Sequence, residues 1–136
     1  AIKKSSVHDR FYLIRKLGLA INLLELALGD NSKWKWSFVE LKGRYAVVAK
    51  NFIDMRLAAK TYFDPGSDDY ETTVLYIRLI TKLLDQSAAG YRDKYELSTR
   101  RIDDMRNGIK FLLARNKLCL ALGDKTNAEE IKKITV

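Results

Sequence analysis

Apolar residues recur at steps of three and four along most of this chain, and this helical spacing constrains its fold more than any other feature. The longest unbroken series of apolar residues at these steps runs from position 38 to position 62: Phe38, Leu41, Tyr45, Val48, Phe52, Met55, Ala59 and Tyr62. Such steps place every member on one stripe of a helix, in the manner of a coiled coil. The two-residue alternation typical of β-strands does not occur in the sequence. The spacing therefore predicts an all-α protein.

One clear interruption divides the helical pattern. The only proline, Pro65, lies in the segment FDPGSDDY, which combines a Pro-Gly turn with Ser and Asp residues that favour helix caps. Before this turn, one helix is predicted from near Ser6 to Gly29, and a second helix then runs to Tyr62. The first helix has this expected apolar face: Phe11, Ile14, Leu17, Ile21, Leu24 and Leu28. Two helices are thus expected before the turn.

After the turn, the apolar pattern continues from Tyr70 to Leu122, and Gly90 is the only residue that interrupts it. A single helix over this segment would be about 80 Å long, at 1.5 Å per residue. A compact fold needs the chain to reverse direction. We therefore expect two helices joined by a bend between Ser87 and Ser98.

The C-terminal residues predict one more helix. Gly123 ends the preceding run, and Thr126 or Asn127 could cap a short final helix. The expected architecture is an antiparallel four-helix bundle with a short C-terminal helix. A chain of this length can bury about two thirds of the surface that its unfolded form exposes. We therefore expect a single domain over residues 1–136.

Residue types that carry catalysis or hold metals are scarce in this sequence. One histidine, His8, and one cysteine, Cys119, are too few for a structural zinc site, a di-iron bundle or a disulfide. Cys119 lies between leucines and is expected to be a buried, inert thiol. Ser5, His8 and Asp9 are the residue types of a nucleophilic triad, but neighbours on one helical turn cannot converge on a substrate. We therefore expect no enzyme activity, no metal, no cofactor and no small-molecule substrate.

Positive charge is concentrated in two regions of the chain, whose net charge is +8. Residues 33–60 hold seven Lys and Arg against two Asp and Glu, and residues 92–117 hold eight against four. An acidic turn at residues 64–71 separates them. This asymmetry is typical of a protein that binds a polyanion such as nucleic acid. A well-solvated surface is the plain alternative.

The first basic region combines cations with two tryptophans. Four consecutive residues alternate the two types: Lys33, Trp34, Lys35 and Trp36. Four basic residues also flank the apolar stripe of the second helix within about 60°: Lys35, Lys42, Arg56 and Lys60. Cations beside flat rings can hold phosphates while bases stack. The alternatives are solvated lysines beside a packed tryptophan, or a membrane interface, which fits the other helices poorly because none is cleanly amphipathic.

The second basic region surrounds a pair of arginines. Its members are Arg92, Lys94, Arg100, Arg101, Arg106, Lys110, Arg115 and Lys117. Four acidic residues lie among them and can form helix-spaced pairs such as Asp103 with Arg106, each worth a few tenths of a kcal/mol. Four positive charges remain uncompensated, so this region is a second candidate surface for phosphates.

A short segment of the second basic region resembles rod-shaped plant virus coat proteins of the tobamovirus type. It reads Thr99-Arg100-Arg101-Ile102-Asp103-Asp104, where that family has Thr-Arg-Arg-Val-Asp-Asp. Residues 21–30 are similar to the end of that family's first helix, and the turn at residues 62–69 is similar to the connection between its second and third helices. The resemblance implies a viral protein whose four-helix bundle stacks into a rod around single-stranded RNA. It also implies that Arg101 contacts phosphate, while Asp103 and Asp104 lie near ribose hydroxyls.

These features predict a non-enzymatic helical bundle that self-associates and binds nucleic acid. In the favoured interpretation the nucleic acid is single-stranded, and the protein resembles a coat or nucleocapsid protein. RNA and DNA both stay open. The alternative is a helical protein-interaction module (an adaptor, inhibitor or chaperone) whose basic surface meets an acidic protein. The residues expected to contact nucleic acid are Arg100, Arg101, Asp103, Asp104, Lys33, Trp34, Lys35, Trp36, Lys42, Arg56 and Lys60. Without a signal-peptide or membrane-spanning pattern, we expect no membrane partner and a cytoplasmic or virion location rather than secretion.

Overall fold

The computed structural model describes residues 6–28 and 32–123 of the chain. Within these residues the chain forms helices and no β-strand, which confirms the predicted all-α class. The helices are α1 (Val7–Leu28), α2 (Ser32–Asn51), α3 (Met55–Tyr62), α4 (Tyr70–Lys94) and α5 (Ile102–Ala121), with a π-helical turn at Tyr95–Thr99 between α4 and α5. The segment after the acidic turn is therefore two helices rather than one.

The predicted start of the first helix is confirmed. The Ser6 hydroxyl accepts a hydrogen bond from the backbone N–H of Asp9 at 3.1 Å, as a capping residue does, and α1 begins one residue later. The expected end at Gly29 lies outside the described residues, as does the short helix expected after Gly123. The antiparallel four-helix arrangement stays a prediction.

The predicted second helix is wrong at its centre, because the chain leaves the helix at Phe52 and starts α3 at Met55. Asp54 causes the new start. Its backbone is extended, with φ −78° and ψ 100°, and its carboxylate accepts the N–H of Leu57 at 3.2 Å. A capping Asp offers the backbone this alternative to a continuous helix. Phe52 and Met55, on the two sides of the break, keep the apolar steps of four and three, so the spacing continues across the break and conceals it.

The helices form two compact units, residues 1–80 and 81–136, with the boundary inside α4. The first unit contains α1, α2, α3 and the first part of α4. The second unit contains the rest of α4, the π-helical turn and α5. One helix thus belongs to both units, and a single domain over the whole chain stays a prediction.

Two buried tyrosines join the helices of the first unit. The Tyr45 hydroxyl donates to the carbonyl of Ile14 at 2.7 Å, and the Tyr76 hydroxyl donates to the carbonyl of Ala49 at 3.1 Å. A β-carbon at Gly18 would collide with the Tyr45 hydroxyl, so a larger residue there would force this tyrosine to shift away from Ile14. Burial raises the pKa of Tyr45 and raises that of Tyr76 to about 12. At neutral pH both phenols are therefore firmly protonated donors.

Close packing of α4 against α5 forms the core of the second unit. The rings of Tyr91 and Phe111 stack with their centroids 5.8 Å apart and their planes inclined by 14°. A β-carbon on Gly108 would lie 3.4 Å from the carbonyl oxygen of Ala88, which shows how closely the two helices approach. Cys119 is buried in this unit, as predicted.

Candidate nucleic-acid interface

The two arginines expected to contact nucleic acid lie in an unusual turn between α4 and α5. The backbone N–H of Arg100 donates to the carbonyl of Tyr95 at 3.0 Å and closes the π-helical turn. Arg100 is left-handed, with φ 52° and ψ 21°, and no other non-glycine residue in the described part of the chain has a positive φ. Arg101 is extended and forms the N-cap of α5. Both π-helical turns and left-handed non-glycine residues occur frequently at functional sites. We call residues 95–101 the arginine turn.

Asp104 stabilises the arginine turn from inside the second unit. Its carboxylate accepts the Thr99 hydroxyl and lies 3.4 Å from Nζ of Lys94. The Thr99 oxygen in turn accepts the backbone N–H of Arg101 at 3.2 Å. Asp104 is only 5% exposed, so its carboxylate is out of reach of a ribose hydroxyl. We therefore assign Asp104 to the turn and leave it out of the candidate interface.

The arginine turn leaves its two arginines exposed. The Arg100 guanidinium lies 5.7 Å from the centroid of the Tyr95 ring, and the Arg101 side chain makes no capping hydrogen bond. Asp103 is exposed beside them. Three further exposed cations, the outer cations of α5, are Arg106, Lys110 and Lys117. At 100° per residue they fall within about 40° of one another, on the side away from the buried residues of α5. The second unit thus presents five exposed cations along one turn and one helix.

Other basic residues of the second region have partners within the unit. Nε of Arg115 lies 2.7 Å from Oδ1 of Asp85, and Lys94 pairs with Asp104. Arg92 lines a groove of 490 Å³ between α4 and α5, which also contains Glu96 and these apolar residues: Ala88, Ala89, Met105, Ile109 and Leu112. Asp85 also lines the groove, so two carboxylates accompany the Arg92 guanidinium and the groove shows no preference for an anion.

In the segment of residues 33–36, each tryptophan ring is contacted by the lysine that precedes it. Nζ of Lys33 lies 5.3 Å from the Trp34 ring, and Nζ of Lys35 lies 4.8 Å from the Trp36 ring. These are cation–π contacts between neighbours in sequence. Trp34 is 38% exposed, whereas Trp36 is half-buried. Each ring therefore has a lysine over part of its face, and Trp34 is the more accessible of the two for base stacking.

The remaining basic residues of the first region do not form one stripe on a single helix. Nζ of Lys42 lies 2.7 and 2.9 Å from the two carboxylate oxygens of Glu25, and this ion pair links α2 to α1. Arg56 and Lys60 are exposed, but they belong to α3, which the break at residues 52–54 separates from α2. The stripe required the continuous helix that Asp54 interrupts. Lys42 has a structural partner, and Arg56 and Lys60 stay predicted contacts.

One polar cluster gives no signal in the sequence, because His8 is more than 60 residues away from its other two members. Oγ1 of Thr72 lies 2.6 Å from Nδ1 of His8, and Nε2 of His8 lies 3.1 Å from Oδ1 of Asp69. Hydroxyl, imidazole and carboxylate follow one another as in a catalytic triad. The neighbouring cavity of 90 Å³ is lined by Asp69 but by neither His8 nor Thr72, so it does not enclose the hydroxyl. We interpret the cluster as a link between the starts of α1 and α4.

Metal-binding and membrane-spanning features are absent from the part of the chain that the structure describes. Among residues 6–28 and 32–123, no group of three His, Cys, Asp or Glu side chains is placed to hold a metal ion. None of the helices in these ranges combines the length and the apolar character needed to cross a membrane.

The whole chain matches one protein family. The model of the TP0443 family matches residues 1–136. The chain belongs to the TP0443 family. Comparison with curated proteins and comparison with solved structures give no match. TP0443 is a Treponema protein family and hence a bacterial one.

The resemblance to tobamovirus-type coat proteins is wrong, because the family that matches the whole chain is not a plant virus coat protein family. The expected viral protein and virion location lose their basis with it. The similarity of residues 99–104 to the coat proteins has a general physical explanation in this TP0443 family member. Asp103 and Asp104 occupy the first turn of α5, where acidic residues favourably face the positive end of the helix dipole in many unrelated proteins.

Proposed function

We propose that this protein is a non-enzymatic, self-associating helical protein that binds nucleic acid through the arginine turn and the outer cations of α5. An antiparallel four-helix bundle and a cytoplasmic location belong to the same proposal. One observation carries it: Arg100 and Arg101 are adjacent and exposed in a backbone turn that the buried Asp104 stabilises. A guanidinium can give two parallel hydrogen bonds to a phosphate. A fixed turn lowers the cost of ordering these side chains on binding.

The outer cations extend the surface along α5. Arg106 and Lys117 are separated by about 16 Å along the helix axis, at 1.5 Å per residue. This distance suits contacts with several successive phosphates of a strand, and the arginine turn adds two cations at the start of the same helix. Our preference for a single strand rests on Trp34 in the first unit, whose partly exposed ring can stack on a base.

The salt dependence of binding tests the proposal. We expect purified protein to bind a fluorescent single-stranded RNA or DNA of about 20 nucleotides with log K falling linearly with log salt concentration. If the five cations each neutralise a phosphate, the slope on a single strand is about −3.5. A titration at several salt concentrations measures it, with duplex DNA alongside. Weak binding that does not respond to salt would contradict the proposal.

A double variant tests the arginine turn itself. Replacing both Arg100 and Arg101 with Ala should weaken oligonucleotide binding by at least about tenfold, because a charge-assisted hydrogen bond contributes roughly 1.5 kcal/mol or more and 1.4 kcal/mol is tenfold in affinity. The matched control replaces Arg78 and Lys82 with Ala, since both are exposed cations outside the surface. The control should lose much less affinity. Equal losses in the two variants would show that net charge, and not this turn, drives binding. Lys42 is unsuitable for such a test because its loss would leave Glu25 without its cation.

A helical protein-interaction module is the second candidate, and one observation favours it. Five large apolar residues of α5 are exposed by 37–58%: Ile102, Met105, Ile109, Leu113 and Leu120. At 100° per residue they lie within about 80° of one another, next to the outer cations. An acidic amphipathic helix could cover both stripes. A designed peptide with leucine on one face and glutamate on the other separates the candidates: tight binding of this peptide, with no salt-dependent oligonucleotide binding, would favour the second.

A further inference from the structure

Helix α1 exposes more large apolar side chains than any other described helix. Eight of them are exposed by 38–76%, whereas only Ile14, Gly18 and Ile21 of its 22 residues are buried. Three residues of the apolar face predicted from the sequence are thus at the surface: Leu17, Leu24 and Leu28. A helix that is apolar on nearly all sides is normally covered on more than one side. The exposed sides of α1 therefore indicate a partner.

Five exposed residues of α1 form a straight line along the helix, which we call the α1 seam: Leu13, Leu17, Ala20, Leu24 and Ala27. Their alternating steps of four and three are the heptad spacing of helices that pair along their length. From Leu17 to Ala27 the seam alternates large and small side chains. Such alternation lets two helices approach closely when the large residues of one face the small residues of the other.

We propose that the α1 seam is the surface through which two copies of this chain pair, with their α1 helices antiparallel about a two-fold axis. In this register Leu17 faces Ala27 of the second copy, and Ala20 faces Leu24 of the second copy. The same two contacts recur on the other side of the axis, as a two-fold interface requires. Every large residue from Leu17 to Ala27 of the seam then meets a small one.

The charge of α1 selects a second copy over other partners. Between Leu17 and Leu28 the only ionisable residue is Glu25, and Nζ of Lys42 lies 2.7 Å from its carboxylate. From Leu17 to Ala27 the seam is therefore free of repelling charge on a chain whose net charge is +8, so two copies meet there without local repulsion. A nucleic acid or an acidic protein would find no cation on the seam to bind.

The size of the seam sets the expected strength of pairing. A standard interface uses about 20–30 residues from each partner, and α1 alone supplies roughly half of that number. We therefore expect dimers that form in the micromolar range and dissociate on dilution. The inference gives a surface to the self-association in the proposed function, and it shares no residue with the arginine turn. If dimerisation through the seam were disproved, the proposed nucleic-acid binding would be unaffected. If nucleic-acid binding were disproved, the proposed dimerisation would be unaffected.

Sedimentation of the full chain without nucleic acid tests the seam. We expect a reversible monomer–dimer equilibrium between about 1 and 200 µM. The double variant Leu17→Glu with Leu24→Glu should be monomeric throughout, because four carboxylates would face apolar residues in the dimer. The matched control, Leu19→Glu with Leu26→Glu, adds the same charge to other exposed positions of α1 and should still dimerise. Circular dichroism checks that each variant keeps its helicity. A monomeric wild-type chain at every concentration, or equal loss of dimer in both variants, would overturn the proposal.

Disulfide trapping tests the antiparallel register. Ala20→Cys and Leu24→Cys are made as separate proteins, and Cys119 can stay because it is buried. Antiparallel pairing brings position 20 of one copy to position 24 of the other, so a mixture of the two proteins should form a cross-linked heterodimer under mild oxidation. Each protein alone should cross-link poorly. Efficient cross-linking of each protein alone, without preference for the mixture, would overturn the antiparallel arrangement.

Discussion

At the scale of the residue, Arg100 has a conformation that its type disfavours. A left-handed backbone costs a non-glycine residue about 1–2 kcal/mol. Two local interactions offset this cost: the N–H of Arg100 bonds to the Tyr95 carbonyl at 3.0 Å, and its guanidinium lies over the Tyr95 ring. Glycine would adopt the same backbone without the penalty. The presence of arginine here is therefore consistent with a use for its guanidinium outside the turn.

Two substitutions of Arg100 separate its backbone from its charge. Arg100→Ala and Arg100→Gly both remove the guanidinium, but only Ala keeps the cost of the left-handed conformation. We expect the Gly variant to be more stable than the Ala variant by about 1 kcal/mol in chemical denaturation. Oligonucleotide affinity should fall equally in both. If the Ala variant were as stable as the Gly variant, the left-handed conformation would not exist in solution.

At the scale of the element, a buried carboxylate joins the end of α4 to the start of α5. Asp104 receives the Thr99 hydroxyl from the π-helical turn and the Lys94 ammonium from the last turn of α4. The side chains of Lys94 and Asp104 are only 13% and 7% exposed. An ion pair this buried stabilises little by itself, but the loss of one charge leaves the other without compensation.

Replacing Asp104 with Asn tests this junction. The amide can still accept the Thr99 hydroxyl, but it no longer balances the charge of Lys94, so we expect a loss of about 2–3 kcal/mol in the free energy of unfolding. Chemical denaturation measures the loss, and hydrogen exchange at residues 95–104 should show the turn opening first. Asp103→Asn is the matched control, because Asp103 is exposed and its substitution should change stability by less than about 0.5 kcal/mol. Comparable losses in the two variants would contradict the structural role of Asp104.

The elements show where sequence reasoning succeeds and where it fails. The capping serine of α1 was predictable, because a helix cap depends on a few neighbouring residues. The division of residues 70–122 into two helices was predictable, because a compact fold requires the chain to reverse direction. The break before α3 was not, since Phe52 and Met55 keep the apolar spacing intact across it. The π-helical turn and the role of Asp104 were equally hidden, because a carboxylate in the first turn of a helix reads as a surface residue. Whether such a carboxylate is buried depends on which residues pack over it in the folded protein.

At the scale of the whole molecule, the two proposed binding surfaces lie on different helices. The seam on α1 is neutral, while the arginine turn and the outer cations belong to the second unit. Composition alone predicted a basic helical protein but not this separation, because the apolar residues of α1 look like core residues in the sequence. Membership of the TP0443 family replaces the viral interpretation. We therefore expect that the two proposed functions, pairing and polyanion binding, can be removed independently by substitution.

The stability of the whole molecule should fall in alkaline solution because of the buried tyrosines. Tyr76 is fully buried and its folded-state pKa is raised from 10.0 to about 12, chiefly by desolvation. The folded protein thus keeps this proton at a pH where the unfolded chain loses it. The resulting stabilisation is complete below pH 10 and is lost as the pH rises toward 12, with an upper limit of about 2–3 kcal/mol. Tyr45, whose pKa burial also raises, acts in the same direction.

Urea denaturation of the wild type and of Tyr76→Phe between pH 8 and pH 12 measures this contribution. The variant loses the hydrogen bond to Ala49, so its free energy of unfolding should start about 1 kcal/mol lower at pH 8. It has no phenol to ionise at position 76, so its stability should decline less steeply, equal that of the wild type between pH 10 and pH 12, and exceed it above that crossing. Deprotonation of lysines affects both proteins alike and cancels in the difference. Two curves that stay parallel across this range would show that Tyr76 ionises as readily in the folded chain as in the unfolded one.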